Sequence, residues 1–547
     1  METVLIIAVL LGGFLYATVS IRMAAAKRRR EHIRHKYGTV PENPEGAGKM
    51  LRNYYETYGV RQTVDDVTWN DLNMDDVFRR INNCDSSMGE EILYAWMHDT
   101  ARTEAEHERM ERRIAYVEEH EAERQELELL LAEMGKGKAS YYIPSYAQSI
   151  EDFKIPHMGV YRLLQILLFA GLGAALVGAV FQNFLGLFFL GTVFVCNIMV
   201  YVLTVKARYV EPIHMLGIMM YLVTLSGKLQ QRFAGCGLCE ELGQYLPKLK
   251  GMDKRAFLLG NQVDRGYGDG FEVFGDLLLG ATMWHVLAYN KVMRRLEGTV
   301  EEYMQLYRIV GELDASVSVG SFRRTMTPVC IPEYGDAPEL VLEEIYHPLV
   351  LDPVCNSVRL KRGCIITGSN ASGKSTFIKA VAINTILGQS IHTCTASRAV
   401  LPRAKMITSM AVRDDILSGE SYFIKEIRYL KRILDELSPD TLVVCVVDEI
   451  LRGTNTGERI AASTAILEFL RDQRCIAIVA SHDRELTELG RIGYDNYHFT
   501  EQIGTSDISF DYVLREGPAD SRNAIRLLAF AGFPERIVDR ARALAGE

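Results

Sequence analysis

An α/β C-terminal domain built on a mostly parallel sheet, preceded by a mainly α-helical region with transmembrane helices, is the architecture the sequence predicts. Three features predict it. A glycine-rich loop joins a β-type run at 364–367 to a helical pattern that opens at Phe377. Two further unbroken apolar runs, 442–447 and 475–480, each end on polar residues, as central parallel strands buried on both faces do. Uncharged apolar stretches at 4–21 and 163–205 are long enough to cross a hydrocarbon core.

The bulk properties bound the rest. A chain of 547 residues, 48% hydrophobic, holds two to four folding units with ample core. A net charge of -9 argues against a protein coated all round by nucleic acid. Ten scattered cysteines fit a reducing compartment, and the one close pair, Cys236 and Cys239, has no second pair or histidines at ligand spacing. Those two read as ordinary thiols.

The apolar run 4–21 is followed by Lys27, Arg28, Arg29, Arg30, Arg34 and Lys36, whereas only Met1 and Glu2 lie near its front. The positive-inside rule therefore puts the N-terminus outside and the following chain in the cytoplasm. Ala24, Ala25 and Ala26 leave a cleaved signal as the alternative. The block 163–205 is interrupted at its middle by Gln182 and Asn183 and suits two helices joined by a tight turn. Lys154 and Arg162 before it, with Lys206 and Arg208 after it, keep both ends cytoplasmic. Its glycines at 171, 173, 178, 186 and 191 suit close helix packing in lipid, against the alternative of a buried soluble hairpin. The stretch 215–225 is too short to span and reads as a core helix. Three spans in a cell membrane, with no charged residue inside them, favour anchoring over transport.

Between the spans, 41–48 reads as a linker. Residues 103–134, dense in Glu and Arg with Ile114, Val117, Leu127, Leu130 and Leu131 recurring, read as one long solvated helix with a narrow apolar stripe. A second helical stretch runs from 273 to 313.

The loop Gly368-Ser369-Asn370-Ala371-Ser372-Gly373-Lys374-Ser375-Thr376 carries the Gly-x4-Gly-Lys-Ser pattern in strand–loop–helix context. Such a loop cradles phosphates with backbone N–H groups at a helix N-terminus. Lys374 is expected to pair with the β- and γ-phosphates of ATP, and Ser375 to ligate Mg²⁺. The run 442–447 ends at Asp448, expected in the metal shell, and Glu449, expected as the general base. The third strand leads into Ser481-His482-Asp483, where His482 is expected to sense the γ-phosphate or position water.

These pieces together resemble the MutS family. The segment Asp414-Asp415-Ile416-Leu417-Ser418-Gly419-Glu420-Ser421-Tyr422-Phe423 is similar to its signature, with Tyr422 in place of the usual threonine and both serines kept. Asp448 through Thr456 resembles the magnesium-binding strand end and its loop; Ser481-His482 resembles the switch histidine, and Asn370 the P-loop asparagine. Tyr346-His347-Pro348-Leu349 resembles the strand leading into the family's ATPase fold, and residues 523–537 its helical dimerisation tail. The segments 87–96 and 311–315 resemble the two ends of the helical core and lever. The resemblance implies an ABC/MutS-type P-loop NTPase that hydrolyses ATP with Mg²⁺ as a homodimer. In it His347 lies on the nucleotide, and Ser418, Gly419 and Ser421 reach the nucleotide of the other subunit.

The resemblance also implies duplex DNA as a partner, with the basic cluster 27–36 as a phosphate contact that topology and anionic lipid explain equally well. No Phe-x-Glu wedge precedes the lever-like region, the clamp is not recognisable, a hairpin occupies the middle of the lever and no nuclease domain follows. Mismatch recognition is therefore not expected to carry over. The expected organisation is a membrane anchor at 1–26, a basic segment and linker at 27–70, helical core and lever-like parts at 71–159 and 206–330 around the hairpin at 160–205, and the ATPase domain with its tail at 331–547. The alternatives are a protein-remodelling membrane ATPase and an ABC-type transporter motor. The second rests on the likeness of Leu417-Ser418-Gly419-Glu420 to a transporter signature, and three spans make a poor translocation path.

Overall fold

The computed structural model describes residues 20–21, 23–41, 48–252, 280–335, 337–368, 372–410, 422–503, 508–519, 525, 528 and 531–545. The expected span at 4–21 thus lies almost wholly outside the described residues. The chain divides into two compact units.

The first unit comprises Met1–Gly59, Asn82–Ala95 and Glu108–Ser321 and is helical among its described residues. The two segments that resemble the ends of the core and lever meet in it. A Cβ on Gly311 would lie 2.8 Å from the Met88 carbonyl oxygen, and one on Gly89 would collide with Asp314, so glycine is what lets these helices touch. Asp314 is fully buried and accepts from Asp85 N (2.9 Å), Ser86 N (2.8 Å) and Ser86 Oγ (2.6 Å) at the start of helix Ser87–His98. A carboxylate there satisfies amides that have no intrahelical acceptor.

The charged stretch expected as one helix is two, Glu104–Glu119 and Glu121–Ala132. His120, at φ −117 and ψ 69, interrupts the helical path, and its ring stacks on Tyr116. The expected stripe is buried on both halves, through Ile114 and Val117 on one and Leu127 and Leu131 on the other. The break lets each half turn its stripe inward separately. Of the helical stretch expected at 273–313, the described part forms Trp284–Glu297 and Val300–Arg324.

The hairpin at 163–205 forms as Met158–Val180 and Leu185–Val200, turning at Gln182, which takes φ +52. Cβ atoms on Gly178 and Gly186 would run into the carbonyl oxygens of Asn183 and Ala174, and one on Gly171 would sit 3.2 Å from Leu190 Cα. Apolar side chains such as Ile166, Leu176, Phe181, Phe188 and Leu203 point outward and are exposed. Among the described residues three helices are long and apolar enough to cross a membrane, including Glu211–Arg232, so the stretch expected to be too short lies in a helix of sufficient length. In the hairpin's two helices 11% and 22% of the apolar windows is buried, against 72% of that in Glu211–Arg232, as a core helix would be. Asn197 Nδ2 donates to Ala281 O at 2.9 Å and Gln165 Nε2 to Thr282 O at 3.0 Å, so the hairpin's amides bind the backbone just before Met283.

The second unit comprises Val60–Ile81, Trp96–His107 and Phe322–Glu547. Its strands are β1 (Glu333–Tyr334), β2 (Leu340–Ile345), β3 (Asn356–Leu360), β4 (Gly363–Thr367), β5 (Arg398–Leu401), β6 (Ala404–Ser409), β7 (Leu442–Asp448), β8 (Cys475–Ala480), β9 (Asp495–His498), β10 (Glu501–Ile503), β11 (Ile508–Phe510) and β12 (Arg515–Glu516). The main sheet has the order β12-β9-β4-β8-β7-β6, parallel from β9 to β6 with β12 antiparallel. A second sheet, β1-β5-β2-β3, is mixed, and β10 pairs with β11. Strands β4, β7 and β8 are apolar on both faces because helices cover both.

Residues 60–81 and 96–107, expected in the linker and the first helical part, belong to this unit. Their side chains close the outer edge of β6. Thr68 Oγ1 accepts from Thr408 N (3.2 Å), buried Asp71 accepts from Thr408 Oγ1 (2.8 Å) and Met410 N (3.0 Å), and Gln62 Nε2 donates to Ala404 O (3.0 Å). The Thr408 and Met410 amides and the Ala404 carbonyl are backbone groups a neighbouring strand would otherwise take.

Candidate functional site

Parallel strands put their carboxyl ends on one side of a sheet, and loops leaving that side meet there. Here β4, β8 and β7 are neighbours, so the loops after Thr367, Ala480 and Asp448 converge. Gly368 takes φ +137 with its Cβ direction blocked by Phe499 O, and Gly373 takes φ +101 as the residue before helix Lys374–Ile391. Both conformations favour glycine. Lys374 is fully buried, and its Nζ donates to Gly368 O. Ser372 is buried, and Thr376, in the first turn, is exposed. Ser369, Asn370 and Ala371 lie outside the described residues, as do Ser418, Gly419 and Ser421.

Ser375 Oγ donates to Asp448 Oδ2 at 2.7 Å. The other oxygen, Asp448 Oδ1, is buried with no hydrogen-bond donor among the described residues, Arg452 Nη2 standing 3.8 Å away. A serine hydroxyl beside an under-satisfied carboxylate is a pair of hard oxygen donors, the set a Mg²⁺ with its waters takes. The residues fit that ion.

Glu449 follows at φ +66, its N–H bonded to Ala480 O at 2.9 Å. Its carboxylate is held from two sides, Oε1 lying 2.7 Å from His482 Nε2 and Oε2 2.6 Å from Arg452 Nε. Burial raises this carboxyl, but His482, Arg452 and Lys374 outweigh it and hold the group below the ordinary carboxylate value. Glu449 is therefore ionised at neutral pH.

His347 follows β2 and is nearly buried, accepting from Leu349 N through Nδ1 at 3.2 Å. Burial, with Lys379 nearby, pushes its ring down to about 4, so it is neutral. Buried Asn384, on the helix after the loop, donates to Tyr346 O at 3.1 Å and accepts from Thr395 N at 2.5 Å. That ties the residue before His347 to the loop's own helix.

Sequence reading missed three groups. Arg452 grips Glu449. Buried Glu426, on helix Tyr422–Asp435, accepts from Arg452 N (3.1 Å) and Gly453 N (3.3 Å) and so fixes the loop after β7. Arg459 pairs with Asp483 beside His482. Arg452 alone left a signal, a cation three residues beyond an expected catalytic acid.

Residues 364–547 match the model of the family described as MutS domain V. These residues are thus similar to that domain of the MutS family. The DNA mismatch repair protein MutS of Natronomonas pharaonis is 32% identical over 269 residues, 47% of this chain and 31% of the relative. The protein of the same name from Thermus aquaticus is 31% identical over 261 residues, 47% of this chain and 32% of the relative. The DNA mismatch repair protein MutS 2 of Haloarcula marismortui is 34% identical over 187 residues, 34% of this chain and 20% of the relative. The chain thus spans about a third or less of these relatives' length. The matched residues include Ser375, in the first turn of helix Lys374–Ile391, and Asp448, Glu449 and His482, at or just past adjoining strand ends.

Proposed function

We propose that this chain is a membrane-anchored MutS-like ATPase that binds ATP with Mg²⁺ and hydrolyses it in a homodimer with composite sites. The observation that carries the reading is the Ser375–Asp448 oxygen pair, with an ionised Glu449 as the next residue after Asp448. Mg²⁺ would be held by Ser375 and Asp448 and would neutralise charge on the β- and γ-phosphate oxygens. The loop from Gly368 to Thr376 wraps the phosphates with backbone N–H groups, and Lys374 exchanges the Gly368 carbonyl for a phosphate oxygen. Glu449 accepts a proton from the attacking water, and His482 and Arg452 keep its carboxylate aimed and charged. His347 flanks the nucleotide as a neutral ring, while Ser418, Gly419 and Ser421 complete the site of the partner.

The dimer is supported by the tail helix Glu535–Ala545, where Val538 is buried and Ile537 and Leu544 stay exposed. The anchor is supported by the outward apolar faces of the hairpin, with the ATPase unit cytoplasmic. Glu449→Gln in detergent-solubilised protein tests the reading: it should retain Mg·ATP and lose turnover. Unchanged hydrolysis would remove Glu449 as the base, and a rate per chain independent of protein concentration would remove the shared site.

Contact with duplex DNA is a second reading. It is favoured by the exposed Lys27, Arg28, Arg29, Arg30 and Arg34 on one helix, and by the names of the relatives. Binding measured across a salt series decides it, since phosphate contacts weaken steeply with salt. No affinity at low salt would end it.

A further inference from the structure

We propose that Arg459 is a positioning residue for hydrolysis and acts through His482, an inference that rests on the ATPase reading above. His482 makes a 2.7 Å contact with Glu449, yet its side chain is 42% exposed. Packing therefore does little to hold the ring. Its neighbours hold it instead. Asp483 N donates to Ser481 Oγ at 3.0 Å, which tightens the turn on which the ring is mounted. The Asp483 carboxylate, 12% exposed, then receives both arms of a guanidinium: Arg459 Nε to Oδ2 at 2.8 Å and Nη2 to Oδ1 at 2.6 Å. A two-pronged pair of this kind fixes orientation as well as distance.

The origin of Arg459 gives the pair its consequence. It sits in the first turns of helix Thr456–Arg471, whose start is fixed by Asn455 accepting from Glu458 N at 3.0 Å. That helix is the continuation of the loop that carries Glu449. The contacts thus form a closed circuit, from Glu449 along the loop to Arg459, across to Asp483, one residue back to His482, and over to Glu449. Cutting the Arg459–Asp483 pair opens the circuit at its two-pronged contact. The turn is then free to carry the ring away from the carboxylate, while the phosphate loop and Ser375–Asp448 are untouched.

A double-mutant cycle on the full chain in detergent tests this, reading kcat, KM, affinity for a fluorescent ATP analogue with Mg²⁺, and melting temperature. Arg459→Ala and Asp483→Asn should each lower kcat roughly ten- to a hundredfold, the scale of a misplaced catalytic group. Analogue affinity and melting temperature should match the unsubstituted protein. Arg459→Lys, which keeps the charge and loses the fork, should fall between. On a His482→Ala background, Arg459→Ala should cost nothing further. A full additional loss on that background, or a loss of kcat accompanied by weakened analogue binding or a lowered melting temperature in both single variants, would overturn the positioning role and leave the ATPase reading intact. Absence of hydrolysis by the unsubstituted protein would overturn both.

Discussion

Ser375 and Asp448 are 73 residues apart in sequence, and their side-chain oxygens lie 2.7 Å apart. One opens the helix after the phosphate loop and the other ends β7, so the pair records how the two neighbouring connections are set. Ser375→Ala leaves Asp448 as the sole protein oxygen at that position. ATP hydrolysis should fall on the order of 10²-fold, the cost of removing one charge-stabilising group. The Mg²⁺ concentration for half-maximal rate should rise, while nucleotide affinity measured without metal holds. Rate against Mg²⁺ is the measurement, and an unshifted curve would contradict the assignment.

Gly311→Ala places a Cβ 2.8 Å from the Met88 carbonyl oxygen and 2.6 Å from Ile92 Cγ1. Backbone on one side of that contact leaves little to yield. The substitution should destabilise the helical unit by about 1–3 kcal/mol. Chemical denaturation followed by circular dichroism at the helical minimum reports it.

Asp71→Ala withdraws the acceptor for Thr408 Oγ1 and Met410 N, both buried. Two donors stranded out of water should cost about 2–4 kcal/mol. Amide exchange at β6 should accelerate more than at β4, because the damage is at the sheet's edge.

Glu128 is buried among Lys36, Asp85, Arg124 and Asp314. Burial lifts its carboxyl to about 8; Lys36 and Arg124 pull it back in part, and Asp85 and Asp314 push it further up. The unfolded chain releases this proton at the ordinary glutamate value of about 4.3. Between that value and about 8, the folded state therefore holds a proton the unfolded state has lost, and stability falls as pH rises. Glu128→Gln, which cannot ionise, should gain about 1–3 kcal/mol over the natural protein near pH 8 and almost nothing near pH 4. Denaturation midpoints at pH 4, 6 and 8 test the sign.

Legibility followed range. Strands β4, β7 and β8 are continuous apolar runs ended by chemistry-bearing residues, a pattern carried within a few positions, and each is where the sequence puts it. The hairpin at 163–205 is equally local, since length and lack of charge define it. Glu449 and His482 are visible as types at strand ends, but Arg452, Glu426 and Arg459 act across loops and have no periodicity to betray them. The attachment of residues 60–81 to β6 has no local signal either. Its hydrogen bonds join side chains to backbone over more than 300 positions, and no pattern in a single window encodes such a partner. The break at His120 was hidden for the opposite reason: both halves keep helical spacing, and only tertiary packing decides where the axis turns.

The covering of β6 bears on how the second unit can be isolated. A recombinant piece starting at Phe322 carries every strand of the main sheet and none of Gln62, Thr68 or Asp71. Its outermost ladder would face solvent with unsatisfied donors and acceptors, a template for self-association. Soluble preparations should instead be sought by grafting 60–81 ahead of 322 through a flexible tether, because the stretch that completes the sheet is encoded hundreds of codons before it.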